Sequence, residues 1–244
     1  GCVLLVGRGV HSAGDIATQK GQTALAAGDS FVIRKGVGTD GNQASTTRGN
    51  EVTPQFSSDS LACKVSNTGL IQAREGDVTM LGREVQQNGV VLASTSVNTR
   101  GTVHLNAIGA DGKVAFGQGA TTAVVIEDDG RTTALDSQRD GLRGPATTAA
   151  ENIVAITDRR DQSRIEIGSG GTVDFQSDSL TLATGGQIDI HAAQRSLVRE
   201  RARIDVSGAV GVTLATESNH VKGTIQRNEQ RDAPLNRDGK TLNS

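Results

Sequence analysis

Short runs of alternating apolar and polar residues recur along the chain, most of them just after a glycine. Leu70 to Ala73, Asp77 to Leu81, Val90 to Ala93 and Thr102 to Ala107 form one group. Thr172 to Phe175, Leu180 to Ala183, Gln187 to Ile190, Arg203 to Val206 and Val212 to Ala215 form a second. Within them Val103 and Leu105 point to one side, with Thr102 and His104 on the other. Val173 and Phe175 oppose Thr172 and Asp174, and Ile188 and Ile190 oppose Gln187 and Asp189. A two-residue period is that of a half-buried strand. Strands this short gain stability only by stacking on equivalents of themselves.

The spacing points the same way. Val78, Val90 and Val103 lie 12 and 13 positions apart, and Val173, Ile188 and Ile204 lie 15 and 16 apart. Two or three such steps give a coil of roughly 20 to 30 residues. The steps are uneven, which suits a solenoid whose corners vary in length while its strands stay stacked. The predicted fold is all-β, a right-handed parallel β-helix with irregular loop insertions. Asn88-Gly89, Asp111-Gly112 and Asp129-Gly130 are turn dipeptides, where glycine takes positive φ without penalty. Gly168, Gly170 and Gly171 are expected to turn the chain into Thr172, and Gly185 and Gly186 into Gln187. The competing architecture is an antiparallel sandwich, since Asn-Gly and Asp-Gly also close hairpins.

Several stretches break the period. Residues 36 to 56 read as a polar loop projecting between coils, and 127 to 151 as a second loop. Ala146 to Thr157 fits a short helix or one more strand. Ala192 to Arg203 is expected to be a corner insertion with a helical turn or two, because Leu197 and Ala202 do not alternate. A shaft over 1 to 225 is followed by a polar, extended or disordered tail over 226 to 244.

Composition narrows the core. The 244 residues include 31 Gly, 3 Pro, no Trp, no Tyr and four Phe. The core must therefore come from Val, Ile, Leu and Ala, whose β-branched members suit pleated surfaces. Lys and Arg number 25 against 27 Asp and Glu, a net charge of -2. That balance, with few rings, argues against nucleic acid, which needs a basic stripe and stacking platforms. The basic run from Arg195 to Arg203 reads as a solvated rim. Cys2 and Cys63 can form one bridge or none. No apolar run approaches the roughly 20 residues that span a membrane, so stable membrane insertion is not expected. The chain starts without Met, and Cys2 to Val6 looks like a strand caught mid-protein rather than a leader. The sequence reads as a piece of a longer protein.

Candidate chemistry is sparse. Asp174, Asp189 and Asp205 occupy matching positions in three units. Stacked directly, they would form an outward ladder about 4.8 Å apart. Glycoside hydrolysis uses two carboxylates about 5 to 10 Å apart, and such a ladder can also hold calcium. The plainer reading is a soluble outer face offset by Arg164 and Arg203. Asp158, Arg159, Arg160, Asp161 and Arg164 form a charge-dense corner of alternating sign. His11, His104, His191 and His220 are scattered and lack finger-like metal spacing. No nucleophile elbow, P-loop or dinucleotide fingerprint occurs. No catalytic, cofactor-binding or metal-binding residue is therefore assigned, and no cofactor is expected.

Two stretches, Val65 to Ala107 and Gly168 to Asn219, resemble the filamentous haemagglutinin family of large exoproteins. The likeness lies in the glycine-led units at Leu70 to Ala73, Asp77 to Leu81, Thr102 to Ala107, Thr172 to Phe175, Leu180 to Ile190 and Arg203 to Ala209. The resemblance implies a right-handed β-helical shaft and two-partner secretion through an Omp85-like outer-membrane pore. It further implies a secreted, bacterial cell-surface location and adhesion to host or bacterial surface glycans or proteins. The Asn-Pro-Asn-Gly-Ile signature of the family's secretion domain is absent, so the resemblance assigns the chain to the shaft. It carries over no site residue. The alternative is a polysaccharide-active β-helix, a lyase or hydrolase, using the outward carboxylate ladder.

Overall fold

A computed structural model describes residues 1–36, 49–57, 63–95, 100–126 and 163–208. The described residues are all strand, turn and irregular chain. No helix among them is long and apolar enough to cross a membrane.

Among the described residues the chain winds through six coils, each of which contributes three strands to the stack, and the second also carries a hairpin. The first holds β1 (Cys2–Gly7), β2 (Gly9–Ser12) and β3 (Asp15–Gln19). The second holds β4 (Gln22–Ala27), then a hairpin of β5 (Ser30–Lys35) and β6 (Asn50–Gln55), then β7 (Lys64–Asn67) and β8 (Leu70–Arg74). The third is β9 (Asp77–Gly82), β10 (Glu84–Gln87) and β11 (Val90–Thr95). The fourth is β12 (Thr102–Ala107), β13 (Lys113–Phe116) and β14 (Thr121–Ile126). The fifth is β15 (Arg164–Ser169), β16 (Thr172–Phe175) and β17 (Leu180–Ala183). The sixth is β18 (Gln187–Ala192), β19 (Arg195–Val198) and β20 (Arg203–Asp205).

Equivalent strands pair in parallel and build three six-stranded sheets. Sheet A is β1-β4-β9-β12-β15-β18, sheet B is β2-β7-β10-β13-β16-β19 and sheet C is β3-β8-β11-β14-β17-β20. The parallel β-helix predicted from the periodicity is thus the fold. The only antiparallel pair among the described residues is β5 with β6. The two steps of the first series read from the sequence cross between sheets: Val78 lies in sheet A, Val90 in sheet C and Val103 again in sheet A. Two steps of 12 and 13 therefore close one coil.

The core is a column of stacked rows. On sheet A, Val3, Thr23, Val78, Val103, Ile165 and Ile188 are in register and point inward. Sheet B adds Val10, Val65, Val85, Val114 and Val173. Sheet C adds Ile16, Ile71, Val91, Thr122 and Thr181. A parallel strand pair repeats the same position at about 4.8 Å, so like packs on like. That is why aliphatic side chains suffice without large rings.

The corner between sheets B and C changes midway. In the first three coils it is two residues long, at 13–14, 68–69 and 88–89. There the inward side chain is Ser12 in the first coil and an amide, Asn67 or Gln87, in the second and third. Asn67 Nδ2 donates to Gln87 Oε1 (2.9 Å), and Gln87 Nε2 donates to the carbonyls of Gly89 and Thr121 (3.0 Å each). The amides find their own buried partners in these corner carbonyls, of which that of Gly89 also accepts from the Thr121 N–H at 3.0 Å. In the last three coils the corner is four residues, at 117–120, 176–179 and 199–202. Its third residue takes positive φ at Gly119, Asp178 and Arg201. The amides give way to Phe116 and Phe175, whose rings stack at 4.5 Å and 8°.

Gly185 takes the positive φ expected of a turn glycine, but Gly89 is needed for another reason. Gly89 is not in a positive-φ conformation. A Cβ there would lie 2.3 Å from the Gly69 carbonyl oxygen of the coil beneath. Close approach between coils, rather than turn geometry, excludes a side chain.

Thr122 and Thr181 bring hydroxyls into the column, and both Oγ1 atoms are buried without a partner. An unsatisfied buried hydroxyl costs about 1–3 kcal/mol. Thr122→Val keeps the shape and is expected to raise the urea midpoint. A lower midpoint would show that the hydroxyl has a partner in solution.

Three sequence expectations change here. The segment 36 to 56 is not all loop, because β6 occupies Asn50–Gln55 and pairs with β5. Its alternating Val52 and Pro54 face sheet A and are buried. The region 192 to 203 contains a strand, β19, and no helical turn. Stacking of Arg195 to Val198 on β16 outweighs the local helical pattern. Gly168 belongs to β15 rather than to the turn that follows. The expected loop at 127 to 151, the helix or strand at Ala146 to Thr157, the unit at Val212 to Ala215 and the tail over 226 to 244 lie outside the described residues.

Candidate functional site

The proposed acid ladder does not form. Asp174 lies in sheet B, Asp189 in sheet A and Asp205 in sheet C, on three different faces. The matching sequence units are β16, β18 and β20, every second strand along the chain, so with three strands to a coil each falls in a different sheet. Each acid has a local partner. Arg199 grips Asp174 with Nε and Nη2, both at 2.8 Å, and these hydrogen bonds hold its carboxyl below the usual range. Asp205 accepts from Ser207, and with Arg203 beside it its carboxyl falls to about 2. Asp189 accepts from Gln187 Nε2 at 2.7 Å. Asp174 and Asp205, held ionised in this way, are poor proton donors.

The strongest polar cluster lies instead on the outer side of sheet A. Adjacent outward rows run Asp77, Thr102, Arg164, Gln187 and Thr79, His104, Glu166, Asp189. His104 points away from the core, as its strand parity predicts, yet only 2% of it is exposed. Strand alternation fixes which face a side chain takes, not whether that face meets water.

Two coils converge on this imidazole. Nδ1 is 2.8 Å from Glu166 Oε2 on the coil above. Nε2 is 3.2 Å from Asp77 Oδ1 on the coil below, close enough for ion pairing but not aligned as a hydrogen bond. Asp77 also accepts from Thr79 Oγ1 (2.9 Å) and from the Thr102 hydroxyl. Arg164 Nη1 donates to Glu166 Oε1 at 2.8 Å. Burial alone pushes the His104 pKa down, but Asp77 and Glu166 together outweigh it and raise the value to about 9. At neutral pH the group is an imidazolium between two carboxylates.

A groove of about 560 Å³ opens over this cluster. One wall is β6, with Glu51, Val52 and Thr53, and the floor includes His104, Asn106 and Glu166. The hairpin is seated by a second apolar cluster in which Val52 packs with Ala26 and Leu81, flanked by Leu4 and Phe31. Gly168 forms part of the floor. A Cβ at that position would come within 2.3 Å of Asn106 Oδ1, so glycine leaves room for the amide.

The other histidines are dispersed. His11 bonds Ser66 Oγ at 2.8 Å on the exposed side of sheet B, and His191 is exposed at the groove's edge. His220 lies outside the described residues, as do Asp158 to Asp161. Cys2 is exposed, Cys63 is buried and both are free. The basic run is a strand and a corner rather than a loop, and it is largely neutralised: Arg199 by Asp174, Arg201 by Asp178 and Arg203 by Asp205. Among the described residues, no three His, Cys, Asp or Glu side chains are grouped so as to hold a metal ion. The partners of His104 come from strands far apart in sequence, so no local motif signals the cluster.

No family model, no curated protein and no solved structure matches the chain.

Proposed function

We propose that the chain is a structural and adhesive shaft segment of a large secreted surface exoprotein, exported by two-partner secretion and non-catalytic. The observation that carries this reading is the continuous core column. A stack of this kind can be extended coil by coil, since each coil contacts only its neighbours. Sequential stacking also lets a rod grow as the chain emerges from an outer-membrane pore of the Omp85-like class. Adhesion to surface glycans or proteins would fall to irregular parts positioned by the rigid shaft. The groove beside β6 is the best such place among the described residues.

A polysaccharide-active β-helix is the second reading. What favours it is the contact of His104 with Glu166 on the groove floor, not the three separated aspartates. Against it, both carboxylates beside His104 are already engaged.

One assay separates the two. The chain, immobilised on beads, is offered intact cells and a polysaccharide panel, and both cell retention and new reducing ends are measured. Cell retention without product is the expected result. Release of reducing ends that disappears in His104→Gln would replace the shaft reading with the enzymatic one.

A further inference from the structure

The groove over sheet A holds side chains that the fold itself does not use. Thr53 and Asn106 are half-buried, His191 is exposed, and all three line it. Among the described residues, none of these three side chains makes a hydrogen bond or an ion pair. Asn106, Gly168 and His191 are in register on β12, β15 and β18. The carboxamide and the imidazole thus stand two strand spacings apart, about 10 Å. Gly168 keeps the floor between them bare. Ile108 and Ala193 add aliphatic surface beside them.

The free groups say what fits there. A hydroxyl, a carboxamide and an imidazole can each donate and accept, as the hydroxyls of a sugar do. The charged lining is already in use. Glu166 is held by His104 and Arg164, and Glu51 has a partner of its own. No Lys or Arg is among the described lining residues. An anionic ligand thus finds no free cation, and a cationic one no free carboxylate. Nor is β6 open to an added peptide strand. The Gln22 carboxamide takes the N–H of Asn50 at 2.9 Å and its C=O at 2.5 Å. Val52 is buried, and Pro54 has no N–H to offer.

We propose that this groove binds an uncharged saccharide, with Thr53, Asn106 and His191 as its hydrogen-bonding residues. The inference rests on the adhesive reading and deepens it by naming the ligand class. The volume of about 560 Å³ lies within the roughly 300–1,000 Å³ of small-ligand sites. One sugar ring lies over Gly168, with hydroxyls toward Asn106 and His191 and its C–H face toward Ile108 and Ala193. No aromatic ring is among the described lining residues, and no free charge grips the ligand. Single-site binding is accordingly weak, and many copies on one surface supply avidity.

Heteronuclear NMR titration of the 244-residue chain with lactose, maltose, cellobiose and diacetylchitobiose tests this. Sialyllactose and a glucosamine disaccharide serve as the anionic and cationic counterparts. At least one neutral disaccharide is expected to shift the Asn106 and His191 signals saturably, and equally at low and high salt. Asn106→Ala is expected to weaken that binding about 10-fold. Gly168→Val, which fills the floor, is expected to abolish it, with circular dichroism confirming that both variants fold. A chain that binds no neutral sugar up to about 10 mM overturns the proposal. So does binding confined to a charged sugar, or binding that both variants leave intact. Cell retention on beads separates this inference from the adhesive reading. Cells held by a chain that binds no neutral sugar overturn the inference alone, whereas neutral-sugar binding without cell retention overturns the adhesive reading and leaves the site standing.

Discussion

Phe116→Ala is expected to destabilise the protein by about 3–5 kcal/mol, the usual cost of removing a fully buried ring from a core that cannot collapse around the gap. Phe116 has no measurable exposure. Its ring lies flat on Phe175 at 4.5 Å, and its coil is where two-residue corners give way to four-residue ones. The ring fills the space that the longer corner opens, so neighbouring backbone cannot close in without breaking the stack of strands. Because a solenoid holds each coil through its neighbours, weakening one junction uncouples the two ends. Urea denaturation followed by circular dichroism is therefore expected to show a lower midpoint and to split into two transitions. Phe116→Leu, which retains much of the volume, is expected to keep one transition. A single transition with an unchanged midpoint in the alanine variant would mean that the ring stack contributes little.

The second large effect belongs to His104. Its folded pKa is raised from 6.5 to about 9 by Asp77 and Glu166. A group that binds its proton more tightly when folded stabilises the fold fully below its unfolded pKa, and that contribution is lost as pH rises through the folded one. Stability is thus expected to fall between about pH 6.5 and 9. The shift corresponds to about 3 kcal/mol, at roughly 1.36 kcal/mol per pH unit. At neutral pH, His104→Ala is expected to cost about 3–5 kcal/mol, because it leaves a buried carboxylate without its counter-charge. Denaturant midpoints measured across this pH range should decline for the wild-type chain and stay flat for His104→Gln. Parallel profiles for the two proteins would show that another group governs the decline.

Both residues were visible in the sequence, but in unequal ways. Phe116 is one of four rings in the chain, yet nothing local placed it on Phe175, which lies in the next coil beyond a long intervening segment. His104 was assigned to the outward face by parity alone. Parity was right about direction and silent about the hairpin wall and the two carboxylates. Asn67 and Gln87 looked like ordinary polar residues near turns, whereas the fold makes them a buried amide ladder. The aspartate ladder failed for a related reason. Asp174, Asp189 and Asp205 share a position within their strands, but successive strands go to different sheets.

The sequence by itself determined the all-β solenoid class, many of the strands with their inward faces, and the approximate length of a coil, but not β6 or β19. These follow from a two-residue period and from like side chains recurring at steps that add up to one turn, which are local properties of the chain. Tertiary structure alone decided which strands became neighbours. Register between coils depends on how many residues each corner and insertion consumes. The hairpin of β5 and β6 lengthens its coil without disturbing the alignment of β4 with β9. Contacts across that register, His104 to Asp77 and Glu166 and Phe116 to Phe175, arise only once backbone hydrogen bonding has fixed every coil on the one before it.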